Sequence, residues 1–165
     1  MKKFFLSVVS VIMIIVTIVP TAFAEVPEWQ DLILTEEEFN AILANNTIHT
    51  VDEDTRATGL IAAYAMAISK SGTNTLNISG LTTGTTVVVK SGFKEVVVQR
   101  RANSSSSWMD YVTYKDIYID EFAYVLTKSL TVPTGYQYRV TCVHYAKKNF
   151  FSVQKIDNVS NVITF

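Results

Sequence analysis

A single cysteine, Cys142, stands in the 165 residues, and histidine occurs only twice, as His49 and His144. One cysteine excludes an intramolecular disulfide, leaving pairing between molecules or burial as an inert thiol. Neither His-x-His, His-Glu-x-x-His nor Cys-x-x-Cys spacing occurs, so a zinc site would need ligands drawn from distant segments. The acidic clusters Asp52-Glu53-Asp54 and Asp116…Asp120-Glu121 lack the Asp-x-Asp-x-Asp-Gly order of a calcium loop. They read as a solvated linker and a polar strand-end loop. Also missing is any strand-like segment followed by a 10–15-residue helical pattern, which argues against a parallel α/β architecture.

What is present first is an export signal. Lys2 and Lys3 precede an apolar or small run from Phe4 to Val19, Pro20 breaks it, and Ala22-Phe23-Ala24 supplies a small-x-small cleavage pattern. The run falls short of the ~20 residues that span hydrocarbon, so cleavage after Ala24 is expected rather than a retained anchor. No cysteine follows for acylation. Neither an LPxTG-type tail nor a second membrane segment occurs, and any attachment to a cell is expected to be non-covalent.

On the chain from Glu25, charge is divided unevenly. Residues 25–58 carry nine carboxylates against Arg56 alone, a net charge near −8, whereas residues 59–165 have a net charge near +5. Such asymmetry marks a tail or an interaction surface. The acidic leader holds one structured signal: Thr35 with Glu38 fits a capping box, and Phe39, Ile42 and Leu43 follow at helical spacing, predicting a short helix near 36–44.

From Gly59 onward the period is two. Leu60–Lys70 admits strand or Ala-rich helix, and its short link to the next strand favours strand. Thr75–Gly80 alternates cleanly. Thr85–Lys90, Lys94–Arg101 with Val96 and Val98 inward, and Trp108–Tyr114 follow, then Phe122–Val132. Tyr136, Tyr138, Val140, Cys142 and His144 share one face of a further strand, and Asn161–Phe165 closes the set. The pattern predicts an all-β, antiparallel β-sandwich of about seven strands over residues 59–165.

Val132-Pro133-Thr134-Gly135-Tyr136-Gln137-Tyr138-Arg139-Val140 resembles the approach to strand F of fibronectin type III and immunoglobulin-like domains. The resemblance implies that Tyr138 is a tyrosine-corner residue bonding the backbone upstream. Val96–Arg101, the serine turn and Trp108 similarly resemble the C–C′ hairpin of such modules. Gly135–Val140 with His144, preceded by Lys128-Ser129-Leu130, is also similar to a family of small secreted Gram-positive (Firmicutes) proteins that carry a domain of unknown function. That likeness covers about Gly59–Phe165, brings no activity with it, and together with the short charged start points to a bacterial source.

Candidate chemistry is sparse. Cys142 and His144 lie at i and i+2, on one face of a strand but ~6.5–7 Å apart at the backbone. A nucleophile pair needs contact and a third group to orient the base. The family likeness puts Cys142 in the sheet interior, where a thiol is inert, and His144, at the end of its strand, reads as a residue at the rim of the core rather than a base. No catalytic residue, cofactor or metal site is nominated. Arg100, Arg101, Lys147 and Lys148 are the candidate polyanion contacts, although the turns that bear them fall at opposite ends of such a sandwich. Trp108, Tyr111 and Tyr114 are the candidate aromatic surface, and Tyr138 and Cys142 are structural.

These features predict an exported, non-enzymatic binding module for a cell-envelope polymer or another protein, without nucleic acid and without a membrane span after signal cleavage. The alternative is a self-associating module whose acidic leader packs on the basic domain. A secreted hydrolase is the remote third.

Overall fold

The computed structural model describes residues 27–31, 35, 37–38, 40–41, 49–50 and 59–165. The expected signal peptide, Asp52-Glu53-Asp54 and most of the expected leader helix lie outside the described residues. Glu37, Glu38, Asn40 and Ala41 have helical backbone. At their start Glu38 N donates to Thr35 Oγ1 at 3.2 Å and Thr35 N donates to the Glu38 carboxylate at 2.9 Å, the reciprocal bonds of a capping box.

Among the described residues the chain forms seven long antiparallel strands and three two-residue ones. They are β1 (Gln30–Asp31), β2 (His49–Thr50), β3 (Ile61–Ser71), β4 (Thr75–Gly84), β5 (Lys90–Arg101), β6 (Met109–Ile119), β7 (Ala123–Thr131), β8 (Gln137–Asn149), β9 (Ser152–Val159) and β10 (Ile163–Thr164). One sheet runs β1-β7-β4-β3-β2. The other runs β6-β5-β8, with β9 and β10 both pairing the far edge of β8. The long strands therefore follow the A-B-E and C′-C-F-G order of a fibronectin III-like sandwich.

Alternation builds the core. Leu76, Ile78, Leu126 and Leu130 from one sheet meet Phe93, Val96, Val98, Tyr138 and Val140 from the other, all essentially excluded from water. The Tyr138 hydroxyl donates to the carbonyl of Pro133 at 2.7 Å, tying the entry of β8 to the loop before it.

The structure departs from the sequence expectation at two strands. Residues 85–89 are not a strand. They cross from the first sheet to the second, with Val88 buried between exposed Val87 and Val89. Conversely, β9 was not foreseen. Its inward positions carry Gln154, Ile156 and Asn158 while Val153 and Val159 face outward, so its apolar pattern reads on the wrong face.

Both open flanks of the sandwich are tied. On one, Gln154 Oε1 accepts from Ile61 N at 2.8 Å. Asn161 lies along β3, its Oδ1 accepting from Ile68 N at 2.9 Å and its Nδ2 donating to Ile68 O at 3.0 Å. On the other, β1 pairs β7 while Trp29 packs against the core and Tyr114 of β6 donates its hydroxyl to Pro27 O at 2.7 Å. Residues 27–31 thus pack on the domain, one of the arrangements the sequence left open for the leader.

Candidate functional site

The basic residues singled out from the sequence are sorted by pleat and register. Arg100 pairs Tyr138 and Arg101 pairs Gln137 at one end of the β5–β8 ladder, while Lys90 pairs Lys147 at the other, roughly 35 Å away at strand rise. Arg100 and Arg101 also face opposite ways, as neighbours on a strand must. Arg100 turns inward and closes the end of the core. Its guanidinium carbon stands 4.7 Å from the Tyr111 ring centre and 4.8 Å from that of Tyr136. Arg100, Arg101, Lys147 and Lys148 are therefore not one patch.

The structure instead gives Arg101 a partner that sequence reasoning passed over. On the outer face, Gln99 pairs Arg139 and Arg101 pairs Gln137, so the two arginines sit diagonally across the ladder and converge on Trp108. Their guanidinium carbons lie 4.4 Å and 4.5 Å from its ring centre, within cation–π range. Each is steered by a glutamine: Arg101 Nε donates to Gln137 Oε1 and Arg139 Nε to Gln99 Oε1, both at 2.8 Å. Gln99 Nε2 in turn donates to Asp110 Oδ1 at 2.8 Å. Arg101 also donates through Nη1 to Ser104 O at 3.1 Å. The Nη edge of Arg139 has no hydrogen-bond partner among the described residues, and that planar fork matches a carboxylate or phosphate. Alternation already put Arg139 outward. Its convergence with Arg101 depends on register, which one strand alone does not reveal.

The three aromatic candidates are likewise dispersed. Trp108 is on the outer face. A bulge in the β5–β6 pairing at Val98/Gln99 turns Tyr111 inward, where it meets Tyr138 edge-on with ring centres 6.3 Å apart. Tyr114 lies beneath Trp29, ring centres 3.5 Å apart and planes 9° from parallel. No single aromatic surface is formed. Two of the carboxylates raised as calcium candidates are engaged by lysines, Asp116 with Lys94 and Asp120 with Lys90.

Cys142 and His144 are brought into contact, with Cys142 Sγ 3.5 Å from His144 Nε2. The backbone spacing had suggested separation, but the imidazole reaches back along the strand. His144 is also fully buried, not at the rim of the core. A third group orients it. Thr82 Oγ1 gives its only proton to Gly92 O at 3.0 Å and so accepts from His144 Nδ1 at 2.8 Å. Nε2 is then an acceptor, facing Asn158 Nδ2 at 3.3 Å and the Cys142 thiol. Burial pushes the Cys142 thiol far up, and the nearby Asp157 carboxylate adds to the effect. The cysteine stays protonated and donates a weak hydrogen bond. A shallow depression of about 230 Å³ lies above this region, lined by residues including Glu95, Val97, Thr141, Val143 and Asp157.

No protein-family model matches the chain. No curated protein matches it. Among solved structures the chain is similar to the GAE domain of GGA2p from Saccharomyces cerevisiae. The identity is 10% and the TM-score 0.28, over 72% of this chain and 96% of that one. A likeness this low carries no argument, and the fold stands on strand order and register.

Proposed function

We propose that the chain is an exported, non-enzymatic binding module that grips an anionic cell-envelope polymer, or an acidic protein surface, at Arg101, Trp108 and Arg139. The observation that carries this reading is the outer-face convergence of two glutamine-steered guanidiniums on one indole. A polymer with repeated carboxylates or phosphates meets the free Nη fork of Arg139 there, with the Arg101 charge beside it. Export rests on the signal-like start. The Cys142–His144 contact does not favour the enzyme alternative: its thiol is buried and protonated, and its imidazole is fixed by Thr82.

The test is retention of the chain from Glu25 on whole envelopes, peptidoglycan and teichoic acid, at low and high salt. Salt-sensitive retention that drops about tenfold on Arg139→Ala, and again on Arg101→Ala, is the expected result. Retention unaffected by either substitution defeats the proposal.

A second reading has its own support in the leader. Asp31 pairs with Lys128, and Trp29 stacks on Tyr114, so an acidic segment lies on the basic domain. In that reading the leader masks its own domain or links copies of it. Deleting residues 25–58 then changes stability or oligomeric state in a salt-dependent way, and no change in either disposes of it.

A further inference from the structure

Three loops meet at the end of the sandwich opposite Trp108. Val89 N donates to Lys147 O at 2.9 Å, Gly84 N donates to Phe122 O at 2.6 Å, and Lys90 pairs with Asp120 at 2.8 Å. These contacts gather the β4–β5, β6–β7 and β8–β9 connections into one surface. The surface is unusually apolar for loop tips. Phe150 is 81% exposed and Phe151 92%, and Val87, Val89 and Phe122 are exposed on the adjoining connections. The phenylalanine pair is presented in a fixed way. Asn149 Oδ1 accepts from Phe151 N at 3.0 Å, and the two rings meet edge-on with centres 5.1 Å apart. A large apolar group at a protruding tip loses free energy in water that any apolar medium returns, and clustered exposure of this kind marks a docking surface.

Charge selects the occupant. Lys147 and Lys148 immediately precede the tip, and Lys155 follows it on β9. Asp120 is taken up by Lys90, leaving Glu121 as the exposed carboxylate on the neighbouring loop. A second copy related by a two-fold axis would set these lysines against one another. A convex aromatic tip flanked by lysines suits a soft apolar layer beneath an anionic one. We infer that this end of the molecule docks on an anionic lipid bilayer, Phe150 and Phe151 entering the headgroup boundary while Lys147 and Lys148 meet lipid phosphates. The inference goes beyond the polymer reading and uses none of its residues.

The test uses the chain from Glu25, because the apolar run Phe4–Val19 would bind lipid by itself. It is sedimented with vesicles of phosphatidylcholine alone and with added phosphatidylglycerol. Binding to the anionic vesicles is expected, weakened by salt and by Lys147→Glu with Lys148→Glu. The pair Phe150→Ser and Phe151→Ser, both on an exposed turn and checked by an unchanged melting temperature, lowers partitioning at least about tenfold. Phe151→Trp in the same chain gives an emission blue shift on anionic vesicles only. Anionic-vesicle binding that ignores the phenylalanine pair overturns the inference. So does equal binding to uncharged vesicles, or a dimer that dissolves in the double variant while the parent ignores vesicles. Arg139→Ala leaves vesicle binding unchanged, so this inference and the polymer reading fail separately.

Discussion

Trp29 lies flat on Tyr114, although 85 positions separate them in the chain: the ring centres are 3.5 Å apart and the planes 9° from parallel. Because β1 joins the β7 edge of one sheet while Tyr114 belongs to the outer strand of the other, this stack spans the gap between the sheets. Trp29→Ala is expected to cost about 2 kcal/mol through lost burial and stacking, lowering the melting temperature by several degrees. An unaltered melt would mean that residues 27–31 contribute nothing to the packed body.

Alkali should unfold the protein over a defined window. Burial raises the Tyr114 hydroxyl to about 12, with help from Tyr111 and Glu28. It also raises Tyr138 to about 12 against the opposing pull of Arg100. Unfolded tyrosines ionise near ~10. Between those values the unfolded chain sheds protons that the folded chain keeps, so stability is intact below pH ~10 and falls as pH rises through the folded values. Melting temperatures across this range should hold to about pH 9 and then drop. Tyr138→Phe should soften the drop while costing about 1 kcal/mol at neutral pH, because the Pro133 carbonyl loses its donor. A drop of the same steepness in that variant would show that Tyr138 is not one of the groups responsible.

The thiol offers a third check. Cys142 should resist thiol-modifying reagents in the native protein and react promptly in denaturant. His144→Leu should cost about 2 kcal/mol, since the buried Thr82 oxygen loses the ring N–H that donates to it and the half-buried Asn158 amide loses its acceptor. Fast native labelling of Cys142 would contradict its burial and reopen the nucleophile question.

What the sequence made legible was whatever depends on alternation alone. The inward sets of Val96 with Val98, and of Tyr138 through His144, could be read directly because each strand puts its apolar residues on one face. The departures share a physical origin in side chains that act across strands. Strand β9 escaped notice because Gln154 and Asn158 take inward positions to bond the Ile61 amide and the His144 ring. Residues 85–89 mimicked a strand because three consecutive valines have high β propensity wherever they fall. The pairing of Arg101 with Arg139, and the inward turn of Tyr111, depend on register and on a bulge. Neither leaves a trace in local composition. Trp29, a lone aromatic in an acidic stretch, had no periodic neighbours to announce it.

Asn161 carries a consequence beyond its two hydrogen bonds. Its carboxamide occupies the donor and acceptor of Ile68 on the outer edge of β3, the groups onto which a foreign strand would add. A side chain that imitates a peptide unit there denies the ladder a template. The molecule can then be concentrated without this stretch of edge seeding fibrils, and an Asn161→Ala chain would be the one to watch for aggregation on storage.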